Sequence, residues 1–280
     1  LIRHYLNLKQ IHFEWFYPLI KFGLPLLPMG ISFYLMNFVD RWFIQYFEGP
    51  SSVGIYAVAA QIALIVTLVI ETFRKGWWPV SMEVMHKEGG KDIFRMIARI
   101  YIAFAGLFVI SVALASPFIL EFMSNERFYS AKNIILILVW PPFLYGFYMI
   151  SSAGLWKNKR TDLMLYIFLF SCVLNFFLNY ILVPTYGGIG AAISTLISFV
   201  VLNLLSLYLT EKLWNIRFEI LTHLYQLIVL LLMFITSFFL SSLLSVITYI
   251  GGVVILFFLT FKKEERIQIR LYASKLVSHN

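Results

Sequence analysis

The sequence predicts an all-α membrane protein with about eight transmembrane helices. Two observations carry that reading. Charged residues make up 13% of the chain and hydrophobic residues 61%, whereas a soluble domain is roughly 25% charged. The apolar residues also fall into eight long runs, with most charges gathered in the gaps between them. A helix needs about 20 apolar residues to cross the bilayer core.

The runs cover 19–40, 53–73, 96–116, 132–153, 162–183, 188–209, 224–244 and 246–261. The first contains FGLPLLPMG, which sets Pro25 and Pro28 between Gly23 and Gly30. Each proline removes a backbone donor and crowds the preceding turn. In a membrane such a break persists where neighbouring helices or a water-filled cavity satisfy the backbone. It reads equally as a packing kink or a moving hinge. The second run follows a tight turn at 46–52, where EGPSS supplies Gly49 and Pro50. A longer segment, 74–92, comes next, and HKEGGKD is its loop. Pro117 is expected to end the third helix, leaving PFILEFMSNERF as a short interfacial helix in segment 117–131. Pro141-Pro142 interrupts the fourth, as in the broken helices of alternating-access transporters. The turn 184–187, with Pro184 and Gly187, separates the fifth from the sixth. GIYAVAAQIA (54–63) and GIGAAISTLI (188–197) open the second and sixth helices alike, which suggests a three-helix pseudo-repeat. The eighth run is short, and tilts or inserts only in part.

Basic residues set the orientation. Lys21, Arg74, Lys75, Lys91, Arg95, Arg99, Lys157, Arg160, Lys212, Arg217 and Lys262 are among those on one side. The other side has Arg127 and Lys132, with Arg41 near its boundary. Cytoplasmic loops carry the excess of Lys and Arg, so both ends of this chain are expected to be cytoplasmic. Topology and anionic lipid account for the net charge of +8, and a nucleic-acid partner gains no support. The chain opens on Leu1 with an amphipathic segment unlike a signal peptide, so a preceding N-terminal portion is expected. Cys172 is the single cysteine and excludes an internal disulfide or a multi-cysteine metal site. The five histidines are scattered through segments read as cytoplasmic. No metalloprotease helix, phosphate loop or nucleophile elbow is present. An enzyme, a cofactor and a bound metal are therefore not expected.

Ionisable groups at membrane depth are functional candidates by default. Asp40 and Arg41 come first. Lys21 marks one edge of their helix, and nineteen residues at 1.5 Å each span about 29 Å, which puts Asp40 near the outer boundary. The pair could meet a pyrophosphate or acidic sugar through the planar guanidinium fork. It could equally be an interfacial ion pair that fixes packing. Glu71 and Arg74 stand three apart on one helix and can pair. They suit a headgroup entering from the cytoplasm, or an ordinary anchor. Asn37 and Gln61 neighbour these charges and could bond sugar hydroxyls; Asn175, Asn179 and Asn203 are further buried amides. Interhelical hydrogen bonding explains all of them as well. Trp42, Trp77 and Trp78 read as interfacial belt residues.

FGLPLLPMG followed by NFVDRWFIQYF (37–47) and VGIYAVAAQIA (53–63) resembles the start of the second half of polysaccharide flippases. These belong to the multidrug/oligosaccharidyl-lipid/polysaccharide exporter superfamily. TFRKGWWPV (72–80) and NYILVPTYGGIGAAISTLIS (179–198) resemble later segments of the same family, and the likeness covers about 15–210. It implies two six-helix lobes facing each other in a V, with two further helices. This chain would supply an inter-lobe segment (1–17), the six-helix C-terminal lobe (18–212), the extra helix pair (213–262) and a cytoplasmic tail (263–280). The implied function is an O-antigen-type flippase of the bacterial inner membrane, moving a polyprenyl-pyrophosphate oligosaccharide for lipopolysaccharide biosynthesis. Membrane lipids, the N-terminal lobe, a polysaccharide polymerase and glycosyltransferases are the implied partners. A multidrug or cation antiporter of the same superfamily is the first alternative; it needs cation-binding carboxylates, for which Asp40 and Glu71 are the candidates. A membrane glycosyltransferase or polymerase is the second, with Glu121 and Glu126 as its external carboxylates.

Overall fold

A computed structural model describes residues 16–123, 128–239 and 242–266. The described residues contain helices and no strand. They form α1 (Phe16–Gly23), α2 (Leu26–Glu48), α3 (Pro50–Val84), α4 (Gly90–Met123), α5 (Ala131–Leu138), α6 (Trp140–Ser151), α7 (Ala153–Lys157), α8 (Thr161–Trp214), α9 (Ile220–Phe239) and α10 (Ser242–Thr260). Five stretches are long and apolar enough to cross a membrane, and the longest, α8, has 54 residues. At 1.5 Å per residue that is about 81 Å, more than two crossings of the hydrocarbon core. Gly187 divides it, with φ 53° and ψ −135° inside an otherwise helical run. Side chains rarely adopt that backbone. A Cβ there would also strike the Glu48 carboxylate at the end of α2. Gly49, at φ 86°, makes the matching turn before α3. Both echoed segments thus follow a positive-φ glycine that reverses the chain at the same end of the bundle.

The prolines behave according to position. The α1–α2 break falls at Leu24–Pro25, where Leu24 N–H still donates to Ile20 O (2.8 Å). Pro28 sits in the first turn of α2, where a missing donor costs little. Val139 separates α5 from α6, and Pro141 and Pro142 occupy the first turn of α6. Pro117 does not end its helix: α4 runs through it to Met123, with Leu120 buried one turn on. The separate helix expected over 117–128 is absent up to that point, and 124–127 lie outside the described residues. Likewise α3 continues through Pro79 to Val84, with Ser81 and Val84 buried beyond the proline, and the turn before α4 falls at the expected HKEGGKD. Trp77 is 6% exposed. Its ring packs edge-on against Phe94 at 5.2 Å and so belongs to the core, not to an interfacial belt. Trp78 packs edge-on against Trp156 at 4.7 Å. Trp42 is exposed, as a belt residue would be.

Contacts at the opposite end of the bundle join 154–160, 213–219, 90–99 and 260–265. Lys157 Nζ lies 4.2 Å from the Trp214 ring. Arg95 donates to Ile216 O at 3.3 Å. Arg99 holds the C-terminal pair in place and is 3% exposed. It donates to Glu219 (3.0 Å), to Glu265 (2.8 Å) and to Thr260 O (2.9 Å). Gln226 donates to Arg99 O and to the Thr260 hydroxyl, both at 3.0 Å. His223, read from sequence as lying in a cytoplasmic segment, is buried within α9, 3.4 Å from Gln226 Oε1. The apolar faces of α9 on either side of this cluster account for its inclusion in the core.

Segments rich in basic residues thus gather at one end of the bundle. Reporter fusions after Gly89, Asn158 and Trp214 are expected to read cytoplasmic, and fusions after Glu48, Asn125 and Tyr186 to read external. A reversed reading at two of these six positions would overturn the orientation.

Candidate functional site

Asp40 is the most buried charged group of the cavity region, at 2% exposure. Helix α2 continues eight residues beyond it to Glu48. Asp40 thus lies about 12 Å short of the helix end. Four helical segments meet on its carboxylate. Tyr56 of α3 donates its hydroxyl to Oδ2 at 2.5 Å. Thr195, after the α8 break, donates to Oδ2 at 2.8 Å. Asn179, before that break, donates to Oδ1 at 3.1 Å. Three donors offset the large cost of taking a carboxylate out of water. Asn175 extends the network, donating to the Thr195 hydroxyl at 3.2 Å. Asn179 Oδ1 is buried with no hydrogen-bond partner among the described residues.

The expected Asp40–Arg41 ion pair does not form. Neighbours in a helix point about 100° apart, so Asp40 turns into the helix packing and Arg41 toward the cavity. Arg41 donates to Asn37 O at 3.1 Å, one turn earlier on α2. Its guanidinium carbon stands 5.2 Å from the centre of the Phe38 ring and 5.9 Å from that of Tyr56. Such placement over aromatic faces favours a cation. Among the described residues it has no carboxylate within ion-pair distance. Asn37 spends its own amide on Phe33 O at 2.7 Å.

Asn37, Asp40, Arg41, Gln61 and Glu71, five of the six sequence candidates, line one cavity of about 530 Å³. Ligand pockets usually fall at ~300–1,000 Å³. The α3 wall runs from Tyr56 to Glu71, about 22 Å at 1.5 Å per residue. The groove therefore extends over most of the hydrocarbon thickness. Tyr145, Phe33 and Phe199 add an aromatic wall, with Phe33 and Tyr145 stacked at 4.3 Å. Arg74 stands outside the lining, bound to Glu71 Oε2 through Nη2 at 2.6 Å and Nε at 2.9 Å.

Sequence reasoning missed Tyr56 and Thr195 and passed over Asn175 and Asn179. The available signal was their position: Tyr56 and Thr195 lie in the two echoed helix starts, and the two amides repeat at i and i+4. The set around Asp40 is all oxygen at its open positions, with one orphaned amide oxygen. That chemistry suits a proton or a hard monovalent cation, which takes oxygen ligands. No cluster of three or more His, Cys, Asp or Glu side chains suited to a metal ion occurs among the described residues.

A family model described as MatE matches residues 25–181. The chain is similar to a Haloferax volcanii protein named "Probable low-salt glycan biosynthesis flippase Agl15", at 24% identity over 221 residues, 76% of this chain and 46% of that protein. It is also similar to an Oceanobacillus iheyensis protein named "Probable multidrug resistance protein NorM", at 26% over 205 residues, 68% of this chain and 45% of that protein. A Methanocaldococcus jannaschii protein named "Uncharacterized membrane protein MJ1068" is 22% identical over 205 residues, 71% of this chain and 40% of that protein. The chain spans about half the length of the curated relatives it matches. No solved structure matches it significantly.

Proposed function

The chain belongs to the MatE family of multi-pass membrane transporters, and on that premise we propose that it is part of a flippase for lipid-linked oligosaccharide. In this reading 18–212 form the six-helix C-terminal lobe, 213–262 the added pair, 1–17 an inter-lobe segment and 263–280 a cytoplasmic tail. Of these, 1–15 and 267–280 lie outside the described residues. An N-terminal lobe would face the groove and complete the path. The substrate is a polyprenyl-pyrophosphate glycan of the O-antigen type, carried from the cytoplasmic to the outer leaflet of an inner membrane. The glycan would travel in the groove while the prenyl tail stays in lipid. Glycosyltransferases and a polysaccharide polymerase would act before and after it.

The observation that carries this reading is Arg41. A guanidinium in the cavity with no carboxylate within ion-pair distance among the described residues favours an anionic headgroup over the cations that a multidrug exporter would carry. Asp40 then has a separate task. Its buried network joins α2, α3 and both parts of α8, so uptake or release of a proton or monovalent cation there would couple an ion gradient to helix rearrangement. Asn179 Oδ1 supports that assignment, since an amide oxygen buried without a partner among the described residues is a ready cation ligand.

Arg41→Ala is expected to reduce translocation about ten-fold or more, the worth of one hydrogen bond to a charged group, with normal accumulation in the membrane. Arg41→Lys should recover part of the rate if point charge suffices, and little if the fork is needed. The assay is glycan exported to the cell surface by the intact protein. Wild-type export by Arg41→Ala would overturn the reading.

A further inference from the structure

Glu71 and Arg74 form the second charged station of the groove, and their geometry differs from that of every other ion pair of interior side chains in the described residues. Arg99 ties α4 to α9 and to the segment after α10. Glu71 and Arg74 both belong to α3 and join no second element. Their side chains are 32% and 38% exposed, so the pair contributes little to tertiary stability. Its fork is also poorly used. Nε and Nη2 of Arg74 converge on the single atom Glu71 Oε2, while Oε1 takes no hydrogen bond among the described residues. A guanidinium is best satisfied by two parallel bonds to two oxygens, as a phosphate presents them. Glu71 lines the groove and Arg74 lies one turn beyond it, toward the end rich in basic residues. An anion entering from that basic end therefore meets the guanidinium first and passes the carboxylate on its way into the groove.

We propose that Glu71 is an exchangeable counter-anion for Arg74: it occupies the guanidinium until a pyrophosphate headgroup displaces it, and so weakens headgroup binding enough for release. This inference rests on the flippase reading and names the residue that sets affinity at that site. The gain on displacement is geometric, because two phosphate oxygens replace one carboxylate oxygen. The cost is a freed Glu71 beside the bound anion. Together these keep the substrate from being held too tightly to move on. Glu71 is thus a tuning residue, and its removal should strengthen binding.

The test uses the intact protein purified in detergent, with farnesyl pyrophosphate as the probe in titration calorimetry. Glu71→Gln is expected to bind it about two- to five-fold tighter than wild type, the range for release of a partly exposed ion pair. Glu71→Ala should act in the same direction and guards against a poorly folded Gln variant. Arg74→Ala should weaken binding, and Glu71→Gln combined with Arg74→Ala should bind no tighter than Arg74→Ala alone. Melting temperatures of the Glu71 variants should stay at the wild-type value, since the pair links no second helix. Equal or weaker binding by both Glu71 variants would overturn the exchange, as would a gain that survives loss of Arg74. The two readings fail differently. Farnesyl pyrophosphate binding that depends on Arg41 but ignores Glu71 overturns only the exchange. Binding that ignores Arg41, or preference for tetraphenylphosphonium over farnesyl pyrophosphate, overturns the flippase reading as well.

Discussion

Asp40→Asn is expected to cut coupled transport sharply while the protein still accumulates and folds. The substitution keeps the size of the side chain and one acceptor oxygen, so packing among α2, α3 and α8 is largely preserved. It removes the charge that a coupling proton or cation would neutralise. Transport should fall about ten-fold or more, comparable to losing a hydrogen bond to an ionised group. Asp40→Ala should do further damage, because it strands the donors of Tyr56, Thr195 and Asn179 in a buried site. Tyr56→Phe removes only one of these three bonds, about 1.5–3 kcal/mol for a bond to an ionised group, and should do less damage than Asp40→Ala. Proteoliposomes with an imposed proton or sodium gradient separate the cases. Gradient-dependent transport by Asp40→Asn at the wild-type rate would reduce Asp40 to a packing residue. Asp40 and Arg41 have separate hydrogen-bond partners in this scheme but both touch Tyr56, so their effects need not be additive.

Arg99→Ala is expected to be the most destabilising single change at the C-terminal pair. It would leave Glu219 and Glu265 facing each other without their shared cation and would empty the donors at Thr260 O. Removing one partner from a buried ion pair typically costs ~3–5 kcal/mol. Both glutamates keep about a quarter of their exposure, and Lys262 still reaches Glu219 at 2.6 Å, so the low end applies. A loss of about 3 kcal/mol should lower the melting temperature in detergent by on the order of 6 °C. Arg99→Lys offers one ammonium in place of three directed donors and should recover only part of the loss. A wild-type melting temperature for Arg99→Ala would show that apolar contacts alone seat α9 and α10.

Much of this was legible beforehand. Hydropathy placed the crossings, and Gly49 and Gly187 marked the two sharpest reversals. Five of six candidate polar residues met in one groove because charge at membrane depth is costly wherever it lies. The errors share a cause. Pro117 read as a helix end because local rules treat a proline alone, yet buried Leu120 lies on α4 beyond it. Arg99 read as one more positive charge on the cytoplasmic side, because its partners Glu219 and Glu265 lie more than a hundred residues away.

By itself, the sequence determined an all-helical membrane chain, its long apolar helices and the family resemblance. All of these follow from composition and short-range spacing, where each residue's solvent is enough to decide. Only the tertiary structure decided that Asp40 leaves Arg41 for Tyr56, Asn179 and Thr195, that Arg41 faces the groove unpaired, and that Arg99 clasps the last two helices. Those outcomes depend on which helix faces meet. Rotation by one residue, about 100° around a helix axis, sends adjacent side chains to different neighbours.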